Sequence, residues 1–384
     1  MLIHLRNLSK TDMKHILFLT VTMLLMTGTA IGQTLTRSGL DPARFDSIID
    51  GSATRLIVLE TDNGTEACVT NYGARLVSLM EPDAHGHLTD VVLGYDNLHS
   101  YVTRGQNFGA TVGRYIGRIK GPQFTLDGQT YRLQDDGKGH ISHGGKPGFA
   151  NRVWDVVSVS RNSVTLRYVS PDGENGFPGE LTVTLTYTLS ADALDIDFNA
   201  MTTKPTVLNL SNHSFFNLSG DARTDILNEE LWVNSRRIAC YDGKKNVDGT
   251  FRKVARTAFD FRRPRMIGER IGWDDSQLKI TGGYDHCFAL RHAGDLSKPA
   301  AILYDPRSGR RLTIYTTEPA LQVYTGNGLK GTETGKGGIV YQRRTAICLE
   351  TMHFADSPNH PEFPSTVLRP GEEFHSHTIF SFRR

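Results

Sequence analysis

Five short segments concentrate ionisable side chains among glycine, proline and aromatic residues. They are Gly113-Arg-Tyr-Ile-Gly-Arg-Ile119, Ile141-Ser-His-Gly-Gly145, Asn209-Leu-Ser-Asn-His-Ser-Phe-Phe-Asn-Leu218, Gly282-Gly-Tyr-Asp-His-Cys-Phe288 and Cys348-Leu-Glu-Thr-Met-His-Phe354. Each on its own has an ordinary reading. His213 is equally a satisfied buried histidine, Asp285 a turn cap, Glu350 the partner of a surface arginine, and Arg118 one end of a structural ion pair. Together they offer an acid, a base and several side chains able to hold hydroxyl groups, which is the equipment of sugar chemistry.

Other motifs carry less. Gly326-Asn-Gly-Leu-Lys-Gly331 has the spacing of a dinucleotide fingerprint, but that motif works only where a helix opens at its third glycine. The loop-like Thr332-Glu-Thr-Gly-Lys-Gly-Gly338 follows instead, so nucleotide binding is set aside. His140 with His143, and His375 with His377, are close pairs lacking an obvious third ligand, and two histidines make only part of a metal shell. No metal and no other cofactor is expected. Asn209, Asn212 and Asn217 each open a glycosylation sequon but crowd a segment better read as part of a site. Arg262, Arg263 and Arg265 read as a solvated loop rather than a binding patch.

The elements that must position these residues are strands. Leu181-Thr-Val-Thr-Leu-Thr-Tyr-Thr-Leu189 alternates apolar and polar without a break, and Leu194-Asp-Ile-Asp-Phe-Asn-Ala-Met201 does the same. Val164–Tyr168 and Val153–Val156 are shorter cases. Strict alternation puts one face in a core and the other in water, as antiparallel strands do. Turn signals intervene at Asp62-Asn-Gly64, Asp127-Gly128, Pro171-Asp-Gly173, Asp242-Gly243 and Pro370-Gly371. The 38 glycines among 384 residues suit many short strands. An all-β fold follows, most economically one large antiparallel β-sandwich, with two stacked β domains the other arrangement. A formal net charge of +2 leaves no electrostatic footprint for nucleic acid.

The N-terminus reads as a targeting segment, residues 1–32, with Met13 an alternative start. Lys14 and His15 precede the apolar run Ile16–Met26, and Ala30-Ile31-Gly32 resembles a small-x-small cleavage site before Gln33. That run is too short to span a bilayer; an uncleaved anchor or a buried helix is the other reading. Export to a periplasmic or extracellular location is expected, without stable membrane association after cleavage. Residues 33–55 form a lead-in, and 56–384 a single β domain. Cys68, Cys240, Cys287 and Cys348 match no zinc spacing; in so long a chain they read as buried free thiols at least as readily as disulfides.

From Leu56 to Phe382 the sequence resembles the aldose 1-epimerase (galactose mutarotase) family. The pieces come in family order: Gly113-Arg114…Arg118-Ile119, His143-Gly-Gly145, Ser170-Pro-Asp-Gly-Glu-Asn-Gly-Phe-Pro-Gly179, Asn209…Asn212-His213-Ser214…Phe216-Asn217-Leu218, Gly283-Tyr-Asp285-His286, Glu318-Pro-Ala-Leu-Gln-Val-Tyr-Thr-Gly-Asn327, Glu350…His353-Phe354…Asp356-Ser-Pro-Asn-His-Pro361 and Leu368-Arg-Pro-Gly-Glu372. The resemblance implies a galactose mutarotase-like supersandwich acting on a small free sugar as monomer or homodimer. It implies Glu350 as catalytic base and His213 as catalytic acid, with Arg118, His143, Asp285 and Gln322 binding substrate. Opening a pyranose removes the proton of the anomeric hydroxyl while the ring oxygen gains one. A carboxylate and an imidazolium are suited to those two transfers near neutral pH. Phe216, Phe288 and Tyr324 are candidates to pack on the sugar face, with core packing the commoner role for any one of them.

Two positions depart from the family pattern. Gly117 stands where an Asn usually precedes the site arginine, and Met352 where a Gln usually follows the base by two residues. Both remove hydrogen-bonding capacity, so weaker binding of plain hexoses is expected, with room beside Gly117 for a water or a larger substituent. Three rivals are a sugar-phosphate epimerase, which needs more cations than Arg118, a glycosidase using Asp285 and Glu350, and a non-catalytic sugar-binding sandwich.

Overall fold

A computed structural model describes residues 35–382; the expected leader, residues 1–32, lies outside the described residues. The alternating segments behave as their pattern dictates. In the strand Leu181–Leu189 every apolar residue is buried and every threonine lies partly open. It pairs with Ser163–Ser170 on one side and Ala193–Thr202 on the other, both antiparallel. These strands sit in a nine-stranded antiparallel sheet that Phe374–Ser381 joins to Arg311–Thr316. Asp127 and Gly128, both at positive φ, close the two-residue hairpin between Gln123–Leu126 and Gln129–Arg132, as such turns require.

A six-stranded sheet forms the second layer. Its order is Phe215–Phe216, Ile347–Met352, Ala320–Tyr324, Asp285–Leu290, Ser235–Tyr241 and Val247–Lys253. One cluster of buried apolar side chains fills the space between the layers. Leu181, Val183, Leu185 and Tyr187 from the large sheet share it with Phe216, Leu321, Val323, Ile347 and Leu349 from the smaller one. A four-stranded sheet, Leu56–Glu60 to Leu88–Asp90, contributes Leu59, Val69, Leu76 and Leu79 to the same core. From Leu35 onward the chain forms one compact unit.

The period of two then decides which side chains leave the core. In Ile347–Met352, Ile347 and Leu349 point into the sandwich. Cys348, Glu350 and Met352 therefore point out of its far face. In Ala320–Tyr324, Leu321 and Val323 point in, and Gln322 and Tyr324 point out. In Asp285–Leu290, Phe288 belongs to the core, and Asp285 and Cys287 face outward. The register sets Gln322 opposite Glu350 and Cys287 opposite Gln322. Chemistry-bearing residues distant in sequence thus share one face of one sheet.

Candidate active site

That face is roofed by short strands and loops, leaving a cleft of about 530 Å³. The six residues expected at the site, Glu350, His213, Arg118, His143, Asp285 and Gln322, all line it. His213 arrives on the strand Ser211–His213, which pairs with Ala110–Val112 rather than with the six-stranded sheet. Asn212 fixes it from behind. Its amide donates to Gly109 O and Tyr187 Oη, each at 3.0 Å, and its oxygen accepts from Ser214 N at 3.1 Å. Phe215 stacks on the imidazole at 5.1 Å and Tyr324 meets it edge-on at 6.4 Å.

The result is a close pair at the cleft floor, with His213 Nε2 3.7 Å from Glu350 Oε1. The other ring nitrogen, Nδ1, lies 3.5 Å from Cys348 Sγ. Both members are buried, which penalises their charged forms. Burial, reinforced by the charge of Asp285, pushes the Glu350 carboxyl well above the ordinary carboxylate range. Burial lowers His213 to about 4. The protein alone therefore favours an uncharged pair, with its single proton on Glu350.

The binding side is built around Arg118 and Asp285. Gln322 Nε2 donates to Asp285 Oδ1 at 2.7 Å, and Tyr241 Oη donates to Gln322 Oε1 at 3.3 Å. Burial raises the Asp285 carboxyl, while Arg118 and Gln322 oppose that rise. Arg118 Nη1 donates to Lys245 O at 3.1 Å, and the 118–120 strand pairs with His140–Ser142. His143 follows at φ +53°, its backbone N donating to Gly117 O at 2.8 Å. Burial and neighbouring cations lower its imidazole to about 3, so it meets the cleft uncharged. A Cβ on Gly144 would sit 2.1 Å from Gly113 O, which explains the glycine after His143.

Several residues reach the cleft without having been singled out as ligand-facing. Gln106, Asn107, Tyr241, Lys245, Val247 and Thr281 are among them. The Gly326–Gly331 loop, set aside as a nucleotide motif, supplies Asn327, Gly328 and Lys330 to the rim; its role is a wall, not a phosphate cradle. Among the aromatics, Phe216 and Phe288 lie in the core, and Phe215 and Tyr324 line the cleft. Phe216 takes the core role and its neighbour Phe215 the cleft side because adjacent strand side chains face opposite ways.

The asparagine sequons are scaffolding. Asn209 holds the main chain of His353, donating to its O and accepting from its N, both at 3.0 Å. Asn217 donates to Thr345 O at 2.7 Å. All three are buried. Three of the four paired histidines meet carboxylates, His140 with Asp136, His375 with Asp197 and His377 with Asp195, while His143 lines the cleft. Arg262 and Arg265 pair with Asp260 and Glu269 at the surface.

The space expected beside Gly117 is filled. A Cβ there would lie 2.8 Å from Ala355 Cβ and 3.5 Å from Met352 Cε, at a backbone φ of +82°. Gly117, Val247, Met352 and Ala355 thus form an apolar stretch of an otherwise polar wall. Gly117→Asn should destabilise by about 1–3 kcal/mol through overpacking and lower activity rather than restore a hydrogen bond. Thermal unfolding with steady-state assays checks this; an improved KM at unchanged stability would refute it.

Fold and cleft define a class: an antiparallel β-sandwich that holds a carboxyl–imidazole pair at the floor of a polar cleft. Comparison narrows the class. The aldose 1-epimerase family model matches residues 55–381. Galactose mutarotase of Rattus norvegicus is 39% identical over 314 residues, covering 82% of this chain and 90% of that protein. Aldose 1-epimerase of Escherichia coli is 36% identical over 336 residues, covering 87% and 96%. The crystal structure of galactose 1-epimerase from Lactobacillus acidophilus superposes with a TM-score of 0.76 at 30% identity, covering 88% of this chain and 96% of that one. The chain belongs to the aldose 1-epimerase family.

Proposed function

We infer that this protein is an aldose 1-epimerase, interconverting the α and β anomers of a free aldose such as galactose or glucose. The observation that carries the roles is the 3.7 Å approach of His213 Nε2 to Glu350 Oε1 at the floor of a polar cleft. Glu350 as carboxylate takes the proton of the anomeric hydroxyl, and protonated His213 gives one to the ring oxygen. The C1–O5 bond breaks and a free aldehyde forms. Rotation about C1–C2 presents the other face, and closure runs with the two roles reversed. Arg118, His143, Asp285 and Gln322 hold the remaining hydroxyls so that only C1 turns.

The charged tautomer that starts this cycle has the same proton count as the uncharged one. Sugar hydroxyls donating to Glu350 and accepting from His213 favour it at the moment of reaction. Polarimetry of freshly dissolved α-galactose and α-glucose is the direct test. Decay of rotation no faster than in buffer would refute the reading.

The pH profile follows from the pair. The singly protonated state is the competent one. It is lost on the acid side when His213 also binds a proton, at about 4. It is lost on the alkaline side when Glu350 gives up its raised proton. A bell is expected for kcat/KM, with its acid limb at about 4 and its alkaline limb above the ordinary carboxylate range. An acid limb at the ordinary histidine value of about 6.5 would exclude a buried His213 as the titrating group.

We further propose export, with mature protein beginning near Gln33. The support is the Lys14-led apolar run and the small residues before Gln33. Intact mass of the secreted chain tests it; retention of Ile16–Met26 in a membrane fraction favours an anchor.

A further inference from the structure

Cys348 is buried beside the acid–base pair and has no part in the reaction above. Among the described residues, Cys348, His213 and Glu350 are the trio of ligand-bearing side chains whose donor atoms all lie within 4.8 Å of one another. We propose that this trio is a binding site for zinc and similar thiophilic divalent ions, and that an ion held there switches the protein off by occupying its acid–base pair.

The geometry comes from the sheet. Cys348 and Glu350 are two residues apart on one strand and so project from the same face. His213, on its separate strand, lays its ring between them. With one donor atom taken from each residue, all three lie within 4.8 Å of one another; Sγ stands 3.5 Å from Nδ1, and Oε1 stands 3.7 Å from the opposite nitrogen, Nε2. Ligand atoms around tetrahedral zinc, at bond lengths of about 2.0–2.3 Å, stand about 3.3–3.6 Å apart. One ion takes one imidazole nitrogen, so rotation of the Glu350 carboxylate and of the ring must close the set from 4.8 Å onto such a frame. Phe215 and Tyr324 flank the ring, stacked at 5.1 Å and edge-on at 6.4 Å.

The coordination number also fits. Three protein ligands leave a fourth position, and His213 and Glu350 both open on the cleft. An ion entering by that route keeps an exchangeable water or hydroxyl there, as in zinc sites with three protein ligands. Charge balances: thiolate and carboxylate neutralise the dication, and imidazole binds uncharged. The Cys348 thiol proton and the proton of the pair leave to solvent. Burial keeps the thiol protonated when no ion is bound, and the ion's own charge reverses that preference. A sulfur–nitrogen–oxygen set selects zinc and cobalt over magnesium and calcium, which prefer oxygen alone.

Binding and catalysis exclude one another, because Glu350 cannot accept a proton while ligating and His213 cannot donate one. This inhibitory half rests on the mutarotase reading; the binding half does not. The test uses the whole purified protein with Co²⁺ as spectroscopic probe and Zn²⁺ as inhibitor. Expected are a sulfur-to-cobalt charge-transfer band with the visible bands of a tetrahedral ion. Zn²⁺ should abolish mutarotation, compete with galactose and be reversed by a chelator, while Mg²⁺ does nothing. Cys348→Ala should lose the charge-transfer band and weaken binding about a hundredfold or more, since even an outer partner of a ligand costs up to that much. An octahedral spectrum without sulfur character, or Zn²⁺ inhibition indifferent to galactose, would overturn the proposal. If Cys348→Ala does not fold, the spectrum and the competition on the unaltered protein still decide. Absence of mutarotation in metal-free protein would sink the function reading alone, leaving the spectrum to judge the site.

Discussion

Glu350→Gln should leave a folded protein whose kcat for mutarotation is about 10²–10⁴-fold lower, with KM moved far less. The substitution keeps shape and volume. Burial already holds the Glu350 carboxyl protonated in the protein alone, so an uncharged amide imitates that resting form and the sheet should tolerate it. What the amide cannot do is accept the anomeric proton, and that transfer exists only in the transition state. Its loss therefore appears in kcat and kcat/KM together. His213→Ala should fall as steeply, and the double variant little further, because acid and base act on one step. Stopped polarimetry with galactose reads all three. Near-full activity in either single variant would show that the proton passes elsewhere.

How much of this was legible in the residues depends on burial. The large sheet was, because Leu181–Leu189 meets core on one face and water on the other, and that difference is written as alternation. The strand carrying Glu350 was not. All six residues of Ile347–Met352 are buried, one face by the core and the other by the roof of the cleft, so no alternation marks which face works. The family resemblance found Glu350 there; periodicity did not. The same ambiguity hides Phe215, which lines the cleft, beside Phe216, which fills the core, two neighbours that are both buried. Cleft walls from loops were least visible. Lys245 and Lys330 come from turns distant from each other in sequence, and only long-range strand pairing brings them to one opening. Gly117 shows the converse. A missing side chain reads as missing capacity, yet Ala355 already occupies the position where its Cβ would project.

Arg114 and Arg118 lie four residues apart in one motif, and their alanine variants should have opposite phenotypes. Arg114 is buried away from the cleft, its guanidinium spent on main-chain acceptors. Nη1 donates to Pro178 O and Gly179 O, each at 2.9 Å. Nη2 donates to Ser170 Oγ at 2.5 Å, and to Ser170 O and Pro171 O at 3.3 Å. These acceptors belong to the Ser170–Gly179 segment, whose Asp172 Oδ1 accepts from Gly179 N at 2.6 Å. So the arginine and the Pro-Asp-Gly…Pro-Gly turn are one structural unit, and neither lines the cleft. Arg114→Ala strands these buried acceptors and leaves a cavity. Each buried acceptor left unpaired costs about 1–3 kcal/mol, with the cavity adding to that, so thermal unfolding should shift down by several degrees or more. At temperatures where that variant is folded, kcat should stay close to the unaltered value. Arg118→Ala loses one bond to Lys245 O and a cation lining the cleft. It should melt normally, raise KM, and lower kcat only as far as misplaced hydroxyls disturb C1. Melting curves beside Michaelis–Menten parameters for both variants separate the two roles. An Arg114→Ala protein that melts with the unaltered chain, or an Arg118→Ala protein with unchanged KM, would show the division to be misdrawn.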